Sequence, residues 1–316
     1  MADAYAQHLA TLHGRIEAPL SLIEAAAREV SASPIVERER IVHGDANEVY
    51  RLGFASGLEV ILRIARWVER VFDKEAWAIG RCRALGICAP EVLSIQRVET
   101  DAGEALELCF LEKLPGARLS DSLDLPRETL RRVVSELGEQ ISRMHGIGEA
   151  DVGEGARFFA GDTDDTVATT PEFVAAAASA GLDPAAVERA MAWYDATTRA
   201  AGPLPRVLTH NDIRACHVLT HDGHLSGLID FGQVSLDSAI NEFGKWAYWE
   251  APELPVEWLQ EGYGNKRLFQ GRYPELFAAC RLANALWALR YYTMTGYAAG
   301  AARAAGRIGA YLAELG

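Results

Sequence analysis

No run of apolar residues here reaches the ~18 in succession that a membrane span requires. The best candidate, Tyr291 to Ala302, is 12 residues of mainly Tyr, Thr, Gly and Ala held between Arg290 and Arg303. The N-terminus has no basic stretch ahead of an apolar core: Asp3, His8, His13 and Arg15 come early, so no secretory signal is expected. Cysteine is scarce, five in 316 residues without close pairing. That excludes a disulfide framework and points to free thiols in a reducing, cytoplasmic compartment. Positive charge is short as well, 31 Lys and Arg against 44 Asp and Glu, a net −13. This balance argues against nucleic acid or an anionic membrane as a partner; it suits either plain solubility or a cationic ligand. No internal repeat or low-complexity linker interrupts the chain.

What remains is ordinary globular material, 49% apolar and 24% charged, in a chain about twice the ~150 residues of one domain. Two lobes are expected. Residues 3–30 have helical spacing, interrupted near Pro19. From Asn47 to Ile64 the pattern changes to period two, with a turn at Ala55-Ser56-Gly57, which predicts a hairpin. Helical spacing returns from Phe72 to Leu85 and is closed by Pro90. A second β stretch runs from Val92 to Leu111 around a turn at Thr100–Gly103. Leu114-Pro115-Gly116 then reads as a hinge, placing one lobe over 1–113 and another over 114–316. In the second lobe Leu130, Val133, Val134, Leu137, Ile141 and Met144 trace an amphipathic helix. Residues 172–200 and 268–315 are helical too, and one β island lies between them at 206–231.

That island carries the chemistry. It contains His210-Asn211-Asp212, then Arg214, His217, the turn pair Asp222-Gly223, and Asp230-Phe231-Gly232. Asp-Gly favours a two-residue hairpin turn. With it at the tip, 221 pairs with 224, 219 with 226 and 217 with 228. His217 and Asp230 then converge as diagonal neighbours ~7–8 Å apart, with Asp212 in the loop at the same open end. Two metal ligands beside a free carboxylate suit a Mg²⁺-nucleotide and a base aimed at a hydroxyl. Arg214 can offer a cation to the transferring phosphoryl group. His217, His221 and His224 make a poor zinc cluster, because the hairpin spreads them from open end to tip.

The spacing His210…Asp212…His217…Asp230-Phe231-Gly232 matches the kinase pair H-R-D-x-x-x-x-N and D-F-G. The chain resembles the aminoglycoside phosphotransferases and their choline, macrolide and hygromycin kinase relatives, whose fold is protein-kinase-like. The resemblance implies an α+β fold of two lobes, a small β-rich N-lobe and a larger, mainly helical C-lobe. Asn211 stands where the family usually has Gly, and His217 where it usually has a metal-binding Asn, both as in aminoglycoside 2″-type kinases. The later D-P-x-x-D pattern survives only as Asp237-Ser-Ala-Ile-Asn241.

The resemblance further implies Asp212 as base and His217 with Asp230 as Mg²⁺ ligands. Arg63 takes the place of the V-A-I-K lysine, with Glu75 on the next helix as its partner, and Ile61 covers the nucleobase. His43 to Asn47 fill the turn of the glycine-rich loop, and Leu111-Glu112-Lys113-Leu114 form the hinge against the base. ATP or GTP is the expected co-substrate. An aminoglycoside is the first acceptor, held by Glu242, Glu250 and Glu253; choline, homoserine, fructosamine, macrolides and hygromycin-type compounds come next. Trp246, Tyr248, Trp249 and Trp258, interleaved with Glu257 and Glu261, fit either an amino-sugar wall or an amphipathic helix. A protein kinase is disfavoured, since G-x-G-x-x-G is missing and too few residues separate Asp230 from the helix near Ile240 for an activation segment. An inactive nucleotide-binding regulator would not need Asp212, Asp230 and a ligand at 217. A monomer or weak dimer is expected.

Overall fold

The computed structural model describes residues 17–42, 47–65, 71–100, 103–160, 166–250 and 252–315. His43 to Ala46 and the first half of the expected N-terminal helix lie outside these residues.

A first helix, α1 (Leu20–Ala27), leads into strands β1 (Ile35–Ile41), β2 (Glu48–Phe54) and β3 (Glu59–Ala65). Helix α2 (Val71–Ala84) and strands β4 (Val92–Glu99) and β5 (Ala105–Glu112) complete the small lobe. The five strands form one antiparallel sheet in the order β1-β2-β3-β5-β4. Alternation sorts their side chains between two faces. Tyr50, Leu52, Leu62, Ile64, Leu108 and Phe110 form one face, buried beneath Ile23 and Ala26 of α1. Val49, Ile61, Arg63 and Leu111 belong to the other face, because Val49 pairs with Arg63 and Ile61 with Leu111. Glu48, fully buried, takes the Ala18 N–H at 3.0 Å and the Tyr50 hydroxyl at 2.8 Å, which ties the start of α1 to the sheet. β1 is not apparent from the hydrophobic pattern: its sequence is dominated by charge, as suits a half-exposed edge strand.

The larger lobe begins with β6 (Ala117–Arg118) and helix α3 (Arg127–Met144), whose expected apolar stripe is buried. Helices α4 (Thr166–Ser179) and α5 (Pro184–Ala201) divide the Ala-rich stretch, with Asp183 capping α5 through the Ala185 N–H. Then come β7 (Arg206–Thr209), the hairpin β8 (Val218–His221) and β9 (His224–Leu228), and β10 (Ser235–Ser238). Helices α6 (Ala239–Glu250), α7 (Val256–Gly262), α8 (Tyr273–Met294) and α9 (Ala298–Leu315) finish the chain. No helix among the described residues is long and apolar enough to cross a membrane.

The hairpin register differs from the expected one. His221 faces His224, but Leu219 faces Gly227 and Val218 faces Leu228, because Ser226 is an extra residue on β9. Such a bulge re-aims the side chains beyond it. Here the Ser226 hydroxyl donates to the Pro115 carbonyl at 2.7 Å, and Leu114 packs where a Cβ on Gly227 would stand. The bulge thereby fastens the hinge to the hairpin. The turn itself is the expected one, with Asp222 and Gly223 at φ 51° and 75°.

Candidate active site

Between the cleft face of the sheet and the hairpin lies a cleft of ≈ 750 Å³, within the range of small-ligand sites. Val49 and Ile61 form its roof, Leu219 and Ile229 its floor, and Leu111 and Leu114 its hinge wall. Asn47 and Glu112 also line it. The slot is apolar where a flat base would lie and charged at the opposite end.

The charged end is assembled from both lobes. Arg63 on β3 pairs with Glu75 of α2 and also reaches Asp230 Oδ1 at 3.0 Å through Nη2. Asp230 has φ 65° and ψ 64°, a left-handed conformation that Asp tolerates better than most residues. Burial disfavours its charge, but Arg63 and His217 outweigh that and hold its carboxyl below the usual range. The His217 ring places Nδ1 2.8 Å from the Asp212 carbonyl and Nε2 3.5 Å from Asp230 Oδ2. Burial opposes a proton on His217, yet Cys216, Asp212 and Asp230 raise its pKa to about 9. One ligand atom from each of Asp212, His217 and Asp230 fits within a 4.8 Å cluster, so the donor set suits a divalent ion.

The loop carrying Asp212 is held from below. β7 feeds into it and β10 follows Asp230-Phe231-Gly232, and these two strands pair, Thr209 with Ser235 and Leu208 with Leu236. His210 is fully buried and its Nε2 lies 3.0 Å from the Ile229 carbonyl. Asn211 has φ 59°, which accounts for a residue tolerant of left-handed backbone where the family carries Gly. Glu242, at 1% exposure, accepts the His210 N–H at 3.2 Å and the Asn211 N–H at 2.7 Å, one with each carboxylate oxygen. Lys245, one turn further along α6, donates to the Asn211 carbonyl. Burial lifts the Glu242 pKa to about 7 and lowers that of Lys245.

Three expectations are corrected here. Glu242 is a brace beneath the loop and not a surface carboxylate for an acceptor. Glu250 spends Oε1 on the Ala215 N–H at 3.0 Å, and burial pushes its carboxyl up; of the three expected acceptor carboxylates only Glu253 is exposed. Arg214 does not line the cleft and stacks on Trp249, 4.1 Å from the ring centroid, away from the role expected of it. The aromatic stretch is largely core: Trp246, Tyr248 and Trp258 are buried, and Glu261 pairs with Arg131 at 2.8 and 2.9 Å. Asn241 links Asp237 at 2.6 Å to Asn284 of α8 at 3.1 Å, a packing role.

Glu242 and Lys245 escaped the sequence reading as a brace. The available signal was their one-turn spacing among Phe243 and Trp246 on an apolar helix, since a charge on such a face requires a buried partner.

A two-lobed kinase-like fold with its polar groups gathered at one end of a nucleotide-sized slot defines a phosphotransferase. Residues 37–274 match the phosphotransferase enzyme family, and the chain belongs to that family. No curated protein matches the sequence. Among solved structures the chain is similar to aminoglycoside 2'-phosphotransferase-IIIa in its GDP complex, at 14% identity and TM-score 0.70, covering 95% of this chain and 100% of that one. Aminoglycoside phosphotransferase APH(4)-Ia, a thermostable mutant with ADP and hygromycin B, matches at 18% identity and TM-score 0.68 over 92% and 98% of the two chains. Macrolide 2'-phosphotransferase MphH from Brachybacterium faecium matches at 18% identity and TM-score 0.59, over 92% and 98%.

Proposed function

We propose that this enzyme transfers the γ-phosphoryl group of ATP or GTP to a hydroxyl of a small molecule, with an aminoglycoside-type antibiotic as the leading acceptor. The nucleotide lies between a lobe of residues 1–113 and one of residues 114–316, in a cytoplasmic protein that is a monomer or weak dimer. The observation that carries this reading is the convergence of Asp212, His217 and Asp230 at the charged end of the slot. Arg63, oriented by Glu75, binds the α- and β-phosphates. His217 and Asp230 hold Mg²⁺ or a similar ion, which neutralises phosphate charge when bound. Asp212 accepts the acceptor's hydroxyl proton and orients its oxygen toward the γ-phosphorus. A neutral hydroxyl acceptor such as a macrolide is the second reading. It is favoured by the burial of Glu242 and by the cationic Arg214–Trp249 stack, whose arginine comes just after the base in the chain.

The test is turnover of ATP and GTP with panels of aminoglycosides, macrolides and smaller hydroxyl compounds, each with Asp212→Asn alongside. Phosphorylated product is expected from the wild type, and kcat in the variant is expected to fall ~10²–10⁴-fold with nucleotide affinity little changed. A variant keeping more than about a tenth of kcat removes Asp212 from the role of base.

A further inference from the structure

The two side chains proposed to hold the metal are chemically unlike. Asp230 offers a hard oxygen, and position 217 offers an imidazole nitrogen. The hydrogen bond at 2.8 Å between His217 Nδ1 and the Asp212 carbonyl fixes which nitrogen is available. A carbonyl only accepts, so Nδ1 keeps its proton, and Nε2, beside Asp230, is the nitrogen that offers a lone pair when an ion displaces its proton. This is the outer-shell bond to a backbone carbonyl that orients metal-binding histidines and raises their basicity. At 3.5 Å apart, Nε2 and Asp230 Oδ2 are close enough that one ion would be held by both. The other oxygen of Asp230 is taken by Arg63 at 3.0 Å, which limits Asp230 to a single ligand atom.

Mg²⁺ is served best by oxygen, whereas imidazole favours first-row transition ions, increasingly along the series from Mn²⁺. We propose that the His217–Asp230 pair makes this enzyme prefer a transition ion of the manganese type to magnesium as the ion bound with its nucleotide. The inference rests on the proposed function, because it presumes that a nucleotide-bound ion sits at these residues. Both side chains are needed in unequal parts: Asp230 supplies charge to any divalent ion, and His217 supplies the discrimination between ions.

The experiment uses the full chain with ADP or GDP and Mn²⁺, in parallel preparations containing ¹⁴N and ¹⁵N histidine. Pulsed electron paramagnetic resonance is expected to show a directly bonded nitrogen whose coupling changes with the histidine isotope and vanishes in His217→Asn. In competition titrations the preference for Mn²⁺ over Mg²⁺ should fall ~10-fold in His217→Asn, which replaces nitrogen by an amide oxygen. Nucleotide-bound Mn²⁺ without histidine nitrogen coupling overturns the proposal and leaves the kinase reading standing. So does a coupling that persists in His217→Asn, since the nitrogen would then belong to another histidine. Failure of the wild type to bind nucleotide with either ion overturns the kinase reading and this inference together.

Discussion

Glu242 shows how strongly the site depends on a residue with no route to substrate. Its two oxygens hold the N–H groups of His210 and Asn211, the two residues before Asp212. Glu242→Gln turns one acceptor into a donor facing a buried N–H, a mismatch of ~1–3 kcal/mol. The expected outcome is a fall of ~10-fold or more in kcat, with nucleotide Kd changing less, because the disturbed backbone carries Asp212 and not the hinge. Steady-state kinetics beside a nucleotide titration decide it; equal losses in both would mean a general loss of folding. Asp212, His217 and Asp230 were legible as a group because their spacing matches a motif pair, and the structure brings them together. The residues that hold them were not, since Glu242 needs only to be an acid on the right turn of a helix, and that position is set by a strand pairing invisible in the chain. Arg214 was misplaced for a related reason: two residues from Asp212 in sequence, it leaves the cleft because the chain turns between them.

At the scale of elements, the long helices and both expected hairpins were readable from period and turn chemistry. The bulge at Ser226 was not, because no residue there demands an extra position and its partner, Pro115, is more than a hundred residues away. Helix contacts were equally hidden. On α3, a Cβ at Gly138 would stand 2.1 Å from the Leu259 carbonyl, and one at Gly262 of α7 would stand 1.7 Å from the Ser135 carbonyl. The two helices thus approach backbone to backbone, and Arg131 with Glu261 closes the same contact. Gly138→Ala is therefore expected to lower stability by ~1–3 kcal/mol through overpacking, against the ~1 kcal/mol that helix propensity alone would add. Gly306→Ala on α9, with nothing within 4 Å of the new methyl, is expected to be neutral or stabilising. Thermal denaturation of the pair tests the contact, and matching shifts would refute it.

For the whole molecule, acid sensitivity arises from histidines that burial keeps neutral. The His145 pKa is lowered to about 3 and the His210 pKa to about 4. Both folded values lie below the ordinary 6.5, so between these limits the unfolded chain binds protons that the native state refuses. Their contribution is complete above pH ~6.5 and is lost as pH falls toward the folded values. Glu242, lifted to about 7 and 3.9 Å from His145, has the opposite slope between its ordinary value and 7. His145→Asn is expected to flatten stability against pH by ~1.4 kcal/mol per unit between about pH 4 and 6, read by urea denaturation across that range. Unchanged slopes would mean that His145 is charged in the native state.

Arg63 also has a consequence for the molecule as a whole. One guanidinium on the sheet holds Glu75 in its own lobe and Asp230 in the other. Phosphates that draw on Arg63, in the role proposed for it, would compete with Asp230 for one guanidinium. On the proposed function, phosphate binding at Arg63 and the contact between the lobes are then linked as a pair: each shifts the other by one and the same coupling free energy.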